Sequence, residues 1–123
     1  MAKFSHELMD IISNNNGFVF YKLLINDVSH FDQFVCGLEK LPKELKSLES
    51  IYAYMDMFSR IMLPKSKFRK IKNPDRGDIY EFKKNNVRVY IILQSPSIYV
   101  ITGGLKNDQE KDVKRITKQV KNF

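Results

Sequence analysis

The chain has 123 residues, 43% of them hydrophobic and 12% aromatic, with a formal net charge of +7. That length and composition fit one domain with a modest core and exclude an intrinsically disordered chain. A single cysteine, Cys36, excludes an intrachain disulfide scaffold, and with only His6 and His30 beside it the ligand spacing of a Cys/His zinc site is missing.

No apolar run approaches the roughly 18 residues of a membrane span. The first seven residues carry an early acid and no continuous apolar stretch, unlike a signal peptide. A cytoplasmic protein with no membrane, metal or cofactor requirement is expected. The charge is segregated. Residues 1–63 hold 6 basic and 8 acidic side chains, residues 64–123 hold 15 and 6, so the whole excess lies in the second half. A segregated excess produces a field that attracts phosphates, whereas an even spread of lysines is a solvated surface.

In chain order, Phe4, Leu8, Ile11 and Ile12 fall at helical spacing behind Ser5, which predicts an N-terminal helix within residues 1–16, ended by Asn14-Asn15-Asn16-Gly17. Residues 18–25 form an aromatic and aliphatic run between turn formers, a largely buried strand. Ser29 with Asp32 is a capping-box variant. Phe31, Phe34, Val35, Leu38 and Leu41 then line one helix face. Leu41-Pro42 ends that helix and opens the next, whose apolar face runs Leu45, Leu48, Ile51, Tyr52, Met55, Phe58 and Met62 until Pro64. Two amphipathic helices joined this tightly make a helical hairpin.

The period then changes. Residues 67–72 are basic and extended, and residues 73–77 form a loop. Strands are predicted over 78–83, 87–94 and 97–102, with turns at Asn85-Asn86 and Ser95-Pro96. Gly103-Gly104 marks the end of the last strand. Asn107 with Glu110 is a weaker cap for a final helix that turns Val113, Ile116 and Val120 to the core. The expected fold is α+β: a small, mainly antiparallel sheet of about four to five strands, a helical hairpin on one face, a C-terminal helix and an extra N-terminal helix. It spans a single domain, 1–123, with 1–16 as an extension.

Strand 87–94 alternates. Val87, Val89, Ile91 and Leu93 point one way, and Arg88, Tyr90, Ile92 and Gln94 the other. The aliphatic set should meet the helices, which leaves Arg88 and Tyr90 on an uncovered face, a groove. Taken alone, Arg88 reads as a surface or salt-bridge residue before it reads as a site, and Tyr90 as part of an amphipathic face before a base-stacking residue. Lys67, Arg69, Lys70, Lys72, Lys83, Lys84 and Lys106 surround this strand in sequence. Such a groove would bind a polyanion, with a tyrosine to stack on a base. His30 and Cys36 read as structural, Cys36 as a small buried residue. No phosphate-binding glycine loop or nucleophile elbow is present.

The order Phe68-Arg69-Lys70-Ile71-Lys72, Ile79-Tyr80-Glu81-Phe82, Val87-Arg88-Val89-Tyr90 and Ile101-Thr102-Gly103-Gly104-Leu105-Lys106 resembles the RelE/ParE superfamily of bacterial toxins over residues 18–121. The resemblance implies the toxin of a type II toxin–antitoxin pair, a ribosome-dependent endoribonuclease that cuts mRNA without metal and leaves a 2′,3′-cyclic phosphate. It makes Arg88, Lys70, Lys72, Lys106 and Tyr90 the catalytic set, with Lys67, Arg69, Lys83 and Lys84 binding RNA. It also implies an antitoxin partner, through which the toxin would oligomerise. One feature departs from the family: Asn107-Asp108-Gln109-Glu110 offers no Tyr or His at the head of the last helix. That leaves two alternatives open, a toxin of the same fold acting on a protein such as DNA gyrase, and a non-catalytic basic RNA-binding module.

Overall fold

The computed structural model describes residues 2–59, 63–73 and 75–123. Seven strands and three helices follow in the order β1 (Phe4–Leu8), β2 (Val19–Ile25), β3 (Val28–Ser29), α1 (His30–Leu38), α2 (Pro42–Met57), β4 (Phe68–Lys70), β5 (Ile79–Lys84), β6 (Val87–Gln94), β7 (Ser97–Leu105) and α3 (Gln109–Gln119). The class is α+β. The sheet is mixed and open, with strand order β1-β2-β7-β6-β5-β4 and β3 paired to β2. It is larger than expected, and the β2–β7 pair is parallel, Val19 to Lys22 lying beside Ser97 to Val100. Among the described residues, no helix is long and apolar enough to cross a membrane.

Helices α1 and α2 start where their sequence signals place them. The Ser29 hydroxyl accepts from the Asp32 amide at 3.1 Å, capping α1. Pro42 occupies the first turn of α2, where its missing N–H costs nothing. Helix α2 ends at Met57, and Phe58 turns to extended backbone (ψ 124°). Met62, expected at the far end of this face, lies outside the described residues, as does Pro74 of the expected loop. Phe31, Leu38, Leu48, Ile51 and Met55 pack with Phe20, Phe82, Val87, Val89 and Ile91 in the core on one side of the sheet.

The N-terminal helix does not exist. Residues 4–8 form β1, antiparallel to β2, with Phe4 opposite Ile25 and Leu8 opposite Tyr21. The helical spacing was a coincidence of composition: Leu8 and Ile11 are 47% and 61% exposed, while Met9 and Ile12 are buried. Pairing with β2 satisfies the inward-facing backbone groups of this edge strand, and Phe4 gains an edge-on contact with Phe123, centroids 5.3 Å apart. The segment belongs to the sheet and is no appendage.

Two further corrections concern the C-terminal third. Gly103-Gly104 does not end β7 but lies inside it. A Cβ at Gly103 would collide with the Phe34 ring, and one at Gly104 with the Asp112 carboxylate, so the two glycines let α1 and α3 approach opposite faces of one strand. The Asn107/Glu110 cap is also absent. A 3₁₀ turn, Lys106–Asp108, leads into α3, and no side chain caps the helix.

The face expected to be open is covered. Ile116 of α3 and Val120 just after its end bury against Leu23, Ile25, Ile79, Ile92 and Ile101 in a second core. Val87, Val89 and Ile91 do face the hairpin, as the alternation requires. Arg88 and Tyr90 do face the other way, but α3 lies over them and leaves them 6% and 0% exposed. The alternation located the face but carried no information about α3 crossing it. Cys36, expected to be buried, is exposed on α1.

Candidate functional site: a cationic groove beside α3

The site begins with a charge pair set by strand register. Arg69 on β4 and Glu81 on β5 are direct cross-strand partners. The Glu81 carboxylate is fully buried. Arg69 Nε donates to Glu81 Oε2 at 2.8 Å, and Gln109 Nε2, at the start of α3, donates to Oε1 at 2.9 Å. From β6, Arg88 Nε stands 3.6 Å from Oε1, an ion pair too long for a hydrogen bond. Arg88 instead directs Nη1 to the carbonyls of Asn85 at 2.7 Å and Val87 at 3.0 Å. One buried carboxylate thus holds two guanidinium groups and the head of α3. A buried charge is tolerated when it is paired and hydrogen-bonded in this way.

Next to this network lie Tyr90 and Asp112. The Tyr90 hydroxyl is buried and has no hydrogen-bond partner among the described residues. Burial first, then the charges of Asp112 and Glu81, pushes its pKa far above the usual phenol range. It therefore stays protonated at neutral pH. Asp112 Oδ1 pairs with Arg115 at 2.9 Å, while Oδ2 is buried over Gly104 without a donor. Burial raises the Asp112 pKa, Arg115 opposes this and Asp108 adds to it.

Above the network, between β4 with the chain that follows it and the first half of α3, runs an open groove of about 730 Å³. Arg69, Lys70, Lys72, Lys106 and Lys114 line it, with Glu110 as its acid. Arg69 is committed to Glu81, and Lys114 lies 4.0 Å from Glu110. Among the described residues, Lys70, Lys72 and Lys106 have no ion-pair partner, and all three are exposed. A second hollow of about 600 Å³ continues past Lys70 and Lys72 to Asn73 and Arg76. Arg76 is itself held by Asp78 at 2.8 Å and by the Val120 carbonyl at 2.9 Å, and it keeps the Asp78 carboxyl below its ordinary pKa.

The expected site residues therefore divide. Lys70, Lys72, Lys106 and Arg69 converge on one groove. Arg88 and Tyr90 lie beneath it and do not reach its surface. Lys83 is half-buried beside Arg88 in register. Lys67 Nζ sits 5.1 Å above the Tyr54 ring, turned toward α2. Lys84 lines a different hollow on the α2 side.

No family model, curated protein or solved structure matches the chain.

Sequence reasoning missed Lys114, Gln109 and the role of Glu81. Lys114 was visible as a basic position on α3, but only the packing of that helix across the sheet brings it to β4. Glu81 was quoted as part of a strand motif, and its position opposite Arg69 becomes visible only with the strand register. Among the described residues, no three His, Cys, Asp or Glu side chains group as a metal site. What the groove offers is fixed positive charge, suited to phosphate oxygens and to the extra negative charge of a phosphorane.

Proposed function

We propose that this protein is a RelE/ParE-type toxin that holds an RNA backbone in the cationic groove and inhibits translation by cutting mRNA on the ribosome. The observation that carries the reading is the convergence, from two separate chain segments on one open groove, of Lys70, Lys72 and Lys106, none of which has an ion-pair partner among the described residues. The sheet order β4-β5-β6-β7 with a helical hairpin on one face supports it as well. In the proposed reaction a ribose 2′ oxygen attacks the adjacent phosphorus and the 5′ oxygen leaves. The 2′ proton passes to solvent, and the leaving oxygen takes a proton from solvent or a lysine ammonium. The lysines bind the phosphate and stabilise the phosphorane. Arg88 acts from below, as a positioning residue that holds Glu81 and the Asn85 turn. The proposal carries an antitoxin partner that covers the groove.

Inducible expression in a bacterial host, with mRNA 5′ ends mapped, tests it. Growth arrest with new 5′ ends, lost in K70A/K72A/K106A, is the expected result. Arrest without new ends would move the target to a protein such as DNA gyrase. A second reading, RNA binding without cleavage, draws on one observation: Tyr90 is enclosed and protonated, and no histidine or tyrosine lines the groove. Steeply salt-dependent RNA binding with neither arrest nor cleavage selects that reading.

A further inference from the structure

We propose that the hollow between α2 and the β5–β6 hairpin is a second phosphate site, which extends the RNA path of the groove around the end of the sheet. The inference rests on the RNA reading above and adds a surface that reading does not use.

The hollow holds about 600 Å³ and is lined by Lys43 and Lys46 of α2 and Lys84 of β5, with Ser50 and Asn85 as neutral partners. Lys43, Lys46 and Ser50 share one helix face by their spacing, so the two lysines stand one turn apart on the same side as the hairpin. Its single acid, Glu44, already accepts from Asn86 Nδ2 at 3.3 Å. Among the described residues, none of the three lysines has an ion-pair partner. The hollow therefore presents net positive charge and hydrogen-bond donors together.

The hairpin tip is clamped in place. Asn85 Nδ2 donates to the buried Ser47 hydroxyl at 2.9 Å, and the Asn85 carbonyl accepts from Arg88 at 2.7 Å. Asn85 has a φ of 52°, a left-handed value that asparagine tolerates in a tight turn. Lys84 is thereby fixed relative to α2. The tip also connects the two surfaces: the Lys106 amide donates to the Asn86 carbonyl at 2.7 Å. Lys106 lines the groove and Asn86 lines the hollow, so the two basic surfaces meet across one hydrogen bond. A flexible single strand that leaves the groove at Lys106 meets the hollow next. Single-strand binding surfaces of this kind cover about 4–16 nucleotides.

The test measures binding of the full chain to single-stranded RNA of about 4 and about 16 nucleotides by fluorescence anisotropy across a range of salt. K43Q/K46Q/K84Q keeps the side-chain stems and removes the charge. K43Q/K46Q changes only exposed α2 positions and guards against a fold effect at Lys84. The hollow variants should bind the long RNA at least about tenfold more weakly, with the triple variant's salt slope smaller by about 2, and bind the short RNA as the wild type does. K70Q/K72Q/K106Q should weaken both lengths. Long-RNA affinity and slope equal to wild type in the hollow variants would overturn the extension and leave the groove standing. Equal weakening of both lengths would also overturn it, because that is a diffuse field and not a path. Wild-type protein that binds neither RNA overturns the groove reading and the extension with it.

Discussion

Arg69 and Glu81 face each other across the β4–β5 ladder, and the exposed edge strand thereby supplies the hydrogen bonds that a fully buried carboxylate in the next strand needs. This pair connects the groove to the interior: the same guanidinium lines the groove and closes the network below it.

Glu81→Gln should cost about 3 kcal/mol of unfolding free energy, since it leaves the buried Arg88 without its counter-charge. Arg69→Ala should cost less, because Gln109 and Arg88 remain around Glu81 and the Arg69 side chain is 44% exposed. Urea denaturation of both variants checks the order. A loss below about 1 kcal/mol for Glu81→Gln would show that the network does not stabilise the fold.

Gly104→Ala should destabilise by about 1–3 kcal/mol, because the added methyl meets the Asp112 carboxylate. Combining it with Asp112→Ala should recover part of the loss, giving a favourable coupling of at least about 0.5 kcal/mol in a double-mutant cycle. Additive effects would place the strain elsewhere.

Asp112 and Asp78 should pull the pH profile of stability in opposite directions. Asp112 has a raised folded pKa, so the folded state binds its proton more tightly than the unfolded chain does. Its contribution favours folding at low pH and is lost as pH rises from the ordinary carboxylate value to the raised one. Asp78 has a lowered folded pKa, and its contribution is present above the ordinary value and lost as pH falls through the folded one. Asp112→Asn should therefore raise the melting temperature at neutral pH, and Asp78→Asn should lower it. The first difference shrinks on acidification below the ordinary carboxylate range. Thermal melts from acidic to neutral pH measure both, and an Asp112→Asn variant less stable than wild type at neutral pH would contradict the first.

Tyr90→Phe should leave stability unchanged or raise it by up to about 1 kcal/mol, since it removes a buried hydroxyl that has no partner. If the proposed toxin reading holds, RNA binding and toxicity should be unchanged. A loss of toxicity with normal folding would make Tyr90 a participant in the chemistry and require the site to open.

Much of this architecture was legible in the chain. Ser29, Pro42 and the two apolar stripes specify the helical hairpin, because caps and periodicity are local signals. The alternation of Val87, Val89, Ile91 and Leu93 correctly placed the helix-facing side of β6 for the same reason. The parallel pairing of β2 with β7 was not legible, since nothing local at Val19–Lys22 names a partner far along the chain. Phe4, Leu8 and Ile11 misled because a helical spacing arises by chance in short segments, and only pairing with β2 decides between the two structures. Arg88 reads from the alternation as a residue of an open face, but it is buried, because Ile116 and Val120 pack across that face and their apolar stripe does not say which strands it crosses. Lys70, Lys72 and Lys106 line one groove, but only Lys70 stands on a strand; Lys72 follows β4, Lys106 follows β7, and the crossing of α3 beside β4 brings them together, which no local signal shows.

The position of β7 has a further consequence for how the chain acquires its structure. Strands β1, β2 and β3 form one half-sheet and β4, β5 and β6 another, and β7 alone bridges them. That strand follows the six others in chain order, and its contacts with β2 close a long loop that contains β3 to β6 and both helices between them. Such long-range closure slows folding. We predict that a nascent chain halted before Ser97 holds two unjoined half-sheets with β2 and β6 exposed as open edges, a state that invites chaperone binding or aggregation until β7 emerges. Limited proteolysis of chains stalled on either side of β7 would measure this: protection that appears only when the residues through Leu105 are free of the ribosome is expected, and full protection of the earlier half-sheets would refute it.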